Sequence, residues 1–153
     1  MAAKSGDVNR VKIFSRCTKD SCATDDEKCD TPLIYAAING HVEVVRVLLE
    51  GVADVERTNA YRSTALHYAA FNGMLEACRL LLDWGAKVNP VDKWRNTPLL
   101  YAARKGHLSV VKLLVERGAE AGLKNENGRT ASEMARSEGK IDVANWLDSV
   151  SRG

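Results

Sequence analysis

Two kinds of apolar cluster alternate along this chain, a short alanine-rich one and a longer one rich in valine and leucine, with a glycine between them. The stretch TPLIYAAINGHVEVVRVLL, from Thr31, is representative. Threonine is a good helix N-cap, and the proline that follows sits where its missing N–H would have no helical partner anyway. Tyr35, Ala36 and Ala37 then fall in a short first helix, whose paired alanines let a neighbouring helix approach closely. Gly40 ends that helix, because glycine adopts a left-handed backbone at little steric expense. Beyond it Val44, Val45, Val47 and Leu48 recur at helical spacing and predict a second, amphipathic helix. Neither helix has enough apolar surface to bury alone.

The same pattern returns three times. TALHYAAFNGMLEACRLLL starts at Thr64, TPLLYAARKGHLSVVKLLV at Thr97 and TASEMARSEGKIDVANWLD at Thr130, each 33 residues after the last. The glycines keep that step (Gly40, Gly73, Gly106, Gly139), and so do Leu48, Leu81, Leu114 and Leu147. A fixed period of this length is the signature of stacked supersecondary units that bury one another's faces. The last unit replaces apolar or neutral positions with Ser132, Glu133, Arg136 and Ser137, as expected of a terminal cap with a water-facing side. At the other end AAKSGDVNRVKIF, from Ala2, parallels AAINGHVEVVRVL, from Ala36, at an offset of 34.

With its 33-residue period and its Thr-Pro-Leu-x-x-Ala segments, the chain resembles the ankyrin repeat. The resemblance implies an all-α fold, an ankyrin-repeat α-solenoid of stacked helix–turn–helix units with hairpin-like loops. It divides the chain into an N-terminal capping half-repeat (1–24), full repeats at 25–57, 58–90 and 91–123, and a C-terminal capping repeat at 124–153. One departure is visible at Val52, which stands where Gly85 and Gly118 stand in later units; a valine there implies an altered turn or modest strain. In the family, histidines placed as His41, His67 and His107 are hold turns and neighbouring repeats together by hydrogen bonds. Asn89 resembles the hairpin asparagine that is hydroxylated in many members, with Lys87 where an acid is usual.

Charge and composition narrow the function. The 22 basic and 20 acidic residues leave a net charge of +2, which gives no support to a general polyanion binder. No apolar run is long enough for a secretory signal or a membrane span, and the four cysteines then read as free thiols of a reducing compartment. The expectation is a soluble protein of the cytoplasm, and also of the nucleus, monomeric when unbound. Catalytic motifs are missing: there is no phosphate-binding glycine loop, no His-Glu-x-x-His and no Gly-x-Ser-x-Gly. Cys17, Cys22 and Cys29 form a C-x4-C-x6-C cluster of which only the first spacing suits zinc and near which no histidine lies; a disulfide between two of them fits better. Cys78 occupies a valine-like position and is expected to be packed. No cofactor, metal or catalytic residue is expected.

What remains is a recognition surface. In ankyrin arrays the segment before each threonine forms a projecting hairpin tip and the first helices line a concave strip. Carried onto this chain, the tips offer Glu27, Lys28 and Asp30, then Ala60, Tyr61 and Ser63, then Lys93, Trp94 and Asn96, and last Glu126, Asn127 and Arg129. The ends of the first helices add Phe71, Arg104 and Lys105 among others. Tyr61, Phe71 and Trp94 on adjacent units form a candidate hot spot, with Lys93, Arg104 and Lys105 beside them, since interface energy concentrates in Trp, Tyr and Arg. Residues 25–57 hold eight acids and three bases, whereas residues 91–123 hold six bases and three acids. That gradient predicts a partner segment of mixed charge lying across the repeats. The function expected is a non-catalytic protein–protein interaction module or adaptor; the alternative is a reader of nucleic acid or of a modified-lysine peptide on the aromatic and basic cluster.

Overall fold

The computed structural model describes residues 30–51 and 53–152. Among them lie eight helices in four pairs: α1 (Pro32–Ile38) and α2 (Val42–Glu50), α3 (Ala65–Phe71) and α4 (Leu75–Asp83), α5 (Pro98–Lys105) and α6 (Leu108–Glu116), and α7 (Ala131–Ser137) and α8 (Ile141–Ser151). Each first helix starts on its threonine. The hydroxyls of Thr31, Thr64, Thr97 and Thr130 accept the amides of Ile34, His67, Leu100 and Glu133. Each then ends at a glycine in the left-handed region, with φ of 67° at Gly40, 70° at Gly73, 81° at Gly106 and 72° at Gly139. A second helix follows within two residues. Its buried stripe in the first pair is Val44, Val45, Leu48 and Leu49, while Val47 is only half-buried.

The first helices pack in one row, α1 on α3, α3 on α5 and α5 on α7, and the second helices in a parallel, looser row. The alanine pairs make the close row possible. Ala36, Ala37, Ala69, Ala70, Ala102 and Ala103 are all fully buried, and any larger side chain there would separate the backbones. Leucine and valine fill the space between the rows, with Leu48, Leu81, Leu114 and Leu147 buried at the periodic position. Cys78 belongs to this core, and burial pushes its thiol up to about 12, so at neutral pH it is a packed apolar group. In the last unit the Ser132 hydroxyl and the Arg136 guanidinium both donate to Asp148, joining the polar faces of α7 and α8.

Between units the chain makes a tight hairpin. Its corner is Asn59, Asp92 or Asn125, each buried, whose side-chain oxygen accepts two backbone amides of the turn. The turn closes through a left-handed residue: Arg62 (φ 60°), Arg95 (φ 61°) and Gly128 (φ 74°). Neighbouring tips are joined by one backbone bond each, from the Lys93 amide to the Tyr61 carbonyl and from the Glu126 amide to the Trp94 carbonyl, both 3.0 Å. Val52, the half-repeat at 1–24 and the cluster of Cys17, Cys22 and Cys29 lie outside the described residues.

Candidate functional site

The tip that carries Trp94 is held from below by a buried carboxylate. Asp92, 1% exposed, accepts the amides of Trp94 and Asn96 at 2.9 Å on one oxygen and the Tyr101 hydroxyl at 2.5 Å on the other. The Asn96 carbonyl in turn accepts a bond from His67 Nε2 at 3.0 Å. Because the Thr64 amide donates to His67 Nδ1 at 3.0 Å, that nitrogen carries no proton and the ring is neutral, protonated on Nε2. Burial favours the same state, holding the His67 pKa below its ordinary value against the raising effects of the Asn96 carbonyl and of Asp92. Burial, the hydrogen bond to Asp92 and its charge all push the Tyr101 hydroxyl up, so it stays a donor. The chain of contacts runs from α3 through His67, Asn96 and Asp92 to α5, and it fixes the base of the hairpin.

Above that base the aromatic rings meet. Tyr61 and Trp94, on adjacent tips, have ring centroids 5.6 Å apart, and Phe71 stands edge-on to Tyr101 at 5.6 Å. Together with Ile38 and Tyr68 they wall an open cavity of about 370 Å3, large enough for one bulky apolar side chain and its backbone. Trp94 remains 36% exposed at its edge. The Lys93 ammonium lies 4.6 Å from the centroids of both Tyr61 and Trp94, and the Lys105 ammonium 4.6 Å from that of Phe71, within cation–π range. On the far side of Trp94 and Tyr101 a second, polar depression of about 400 Å3 is lined by Arg104, Asn127, Arg129 and Glu138.

Five of the six residues singled out from the sequence gather around one cavity. Tyr61, Phe71 and Trp94 line it, and Lys93 and Lys105 cap three of its rings. Arg104 turns instead to Glu138, at 3.4 Å, and faces the polar depression. One tip position is corrected: Asp30 is buried and accepts the Asn59 amide group at 2.7 Å as part of the scaffold, whereas Ser63, though also largely buried, lines the cavity. Tyr68, Tyr101 and His67, which the repeat pattern assigns to the scaffold, also line the cavity. A signal was present, since Tyr68 lies three positions before Phe71 and Tyr101 three before Arg104, on the same helical faces.

The charge summed over the first unit is spread over more than the groove. Of the acids in the first unit, Glu43 and Glu50 lie on α2 in the second row, and Asp54 and Glu56 lie in the following loop, where Glu56 accepts the Lys87 amide at 2.8 Å. None of the four lines either depression; Asp25, Asp26 and Glu27 of the first tip lie outside the described residues. Asn89 plays the role of Glu56 one unit later, accepting the Glu120 amide at 3.1 Å. Among the described residues no helix is long and apolar enough to cross a membrane.

No curated protein matches the chain. The family model for ankyrin repeats, three copies, matches residues 1–92 and 87–149, which covers most of its length. With paired helices capped by threonine, left-handed glycines and projecting hairpins at a step of 33 residues, the chain belongs to the ankyrin-repeat family.

Proposed function

We propose that this chain is a non-catalytic protein-interaction module that anchors a segment of another protein in the aromatic cavity between its second and third helix pairs. Ankyrin repeats are generally protein–protein interaction modules. The observation that carries the site is the cavity itself, about 370 Å3 and walled by Ile38, Tyr61, Tyr68, Phe71, Trp94 and Tyr101 from three successive units. A concave apolar pocket with a few polar groups at its edge is the general form of a recognition site. Rigid aromatics already packed against one another lose little entropy when a partner lands on them.

The geometry also ranks the alternatives. A modified-lysine reader needs open ring faces and a nearby acid, yet the protein's own Lys93 ammonium sits over Tyr61 and Trp94 and no acidic residue lines the cavity. Nucleic acid bases stack on open ring faces beside cations, whereas here the rings close into a concave pocket, with Trp94 tilted against Tyr61 at 31°. Affinity capture from native cell extract tests the proposal, comparing the wild type with the Trp94→Ala/Tyr61→Ala variant after confirming by thermal unfolding that the variant folds. The expected outcome is a set of proteins held by the wild type and lost from the variant, the removal of one anchor weakening binding by about 2 kcal/mol or more. An identical set on both baits rejects the groove as the site.

A further inference from the structure

We infer that the segment taken by this groove is acidic: a bulky apolar side chain seated in the cavity, flanked within a few residues by aspartate or glutamate that pairs with Lys93 and Lys105. The inference rests on the groove reading above and adds the chemistry of the ligand. Three observations converge on it. The cavity wall carries no charged side chain at all, so its floor selects an apolar group. Both cations at its edge lie over the aromatic rings themselves, at 4.6 Å, and neither has an acidic partner within ion-pair distance among the described residues. An ammonium resting on a ring face keeps donors free on its outer side, which a carboxylate docking beside the apolar anchor would meet.

The third observation is the backbone of the tips. Arg62 and Arg95 hold φ near 60°, a left-handed conformation that non-glycine residues rarely adopt, at the position where Gly128 serves the next hairpin. Both side chains are exposed, and each directly follows a ring that lines the aromatic cavity, Tyr61 or Trp94. Strained backbone of this kind is held by the structure around it and clusters at ligand-binding sites. A carboxylate-bearing partner fits that placement, because guanidinium groups on the same projecting tips as Tyr61 and Lys93 add positive charge to its approach. A basic segment would instead meet Lys93 and Lys105 over the cavity rings, with the exposed Arg62 and Arg95 on the same two tips.

The test is a selection of random displayed peptides on the whole chain, counter-selected on the Trp94→Ala/Tyr61→Ala variant, followed by anisotropy measurements with the peptides obtained. Peptides with a Leu, Ile, Met, Phe or Trp close to Asp or Glu are expected. In such a peptide Glu→Gln should weaken binding about tenfold, the scale of one charge-assisted contact, and Leu→Ala at the anchor should abolish it. Lys93→Glu with Lys105→Glu should reverse the preference toward a lysine-bearing version of the same peptide. Arg62→Gly with Arg95→Gly should raise the melting temperature while weakening the acidic peptide, a combination that a merely structural role for these arginines does not give. Groove-dependent peptides that are neutral or basic overturn the acidic inference and leave the groove proposal standing. The absence of any groove-dependent peptide overturns both. Competition by single-stranded polynucleotide that is lost in the aromatic variant, with no peptide competing, assigns the rim to nucleic acid instead.

Discussion

Arg62 and Arg95 share a backbone conformation with Gly128, at φ 60°, 61° and 74°, and the comparison isolates what a side chain costs there. A non-glycine residue held in the left-handed region loses about 1–3 kcal/mol, while glycine loses about 0.5–1 kcal/mol more unfolded-state entropy than another residue. The first effect wins, so Arg95→Gly is expected to stabilise the fold by about 1 kcal/mol, read as a rise in the midpoint of chemical denaturation. No change, or a fall, would mean that the arginine contributes contacts that offset its strain. His67 gives the residue scale a second, pH-dependent test. Its folded-state pKa lies below the ordinary histidine value of 6.5 because burial disfavours the charged ring. As pH falls, the unfolded chain therefore takes the proton first. The stability that neutral His67 confers is complete above about pH 6.5 and is lost progressively below it. Melting temperature followed from pH 7.5 to 5 should fall less steeply in His67→Gln than in the wild type; parallel curves would show that other groups set the acid sensitivity.

The helices were legible from the residues because several local preferences agree at each boundary. Threonine cap, following proline or alanine, and terminating glycine recur at one step, and all four first helices start and stop where that agreement places them. The glycines nevertheless differ in a way that no period reveals. A Cβ on Gly73 would stand 2.6 Å from His107 Nδ1, and that ring is fixed because its Nε2 donates to the Phe71 carbonyl at 3.0 Å. A Cβ on Gly118, φ 94°, meets nothing within 4 Å. Gly118→Ala should therefore cost about 1 kcal/mol of backbone strain alone. Gly73→Ala should cost at least about 1 kcal/mol more, since it also displaces a ring bonded next to the cavity. Urea denaturation of the two variants side by side makes the comparison, and equal losses would refute the packing argument. The hairpin tips were harder to read. An arginine in a glycine's position gives no conformational signal by its type, and Tyr68 and Tyr101 looked like scaffold because they repeat. Their place in the groove follows from the helical face they share with Phe71 and Arg104, a relation that periodic bookkeeping across units passes over.

At the scale of the whole molecule, charge counted along the chain does not map directly onto the groove, because a solenoid sorts each unit's residues into two rows and a loop. Acids on α2 and in its loop sum with the first unit's charge yet stand off the groove. What the array does concentrate is connection. Both His67 and His107 cross the same junction, from α3 to the hairpin before α5 and from the start of α6 back to the end of α3. That junction is also the one the aromatic cavity spans. In a stack held by nearest-neighbour contacts, cooperativity depends on the coupling at each junction as much as on the stability of each unit. Removing both rings leaves the Thr64 amide and the Asn96 and Phe71 carbonyls without these partners, a loss of about 1–3 kcal/mol for the buried Thr64 amide and less for the two part-buried carbonyls. The His67→Ala/His107→Ala variant should accordingly unfold in urea with a lower apparent m, its tryptophan fluorescence and far-ultraviolet dichroism no longer changing together. Leu81→Ala is the control, because it empties a fully buried site while leaving both histidine bonds in place at a comparable cost of about 2–5 kcal/mol. It should lower the midpoint and leave m unchanged. If the two variants behave alike, the histidines stabilise their own units and the groove is not a seam; if they differ as argued, the junction that binds a partner is also the one that makes the array fold as a single body.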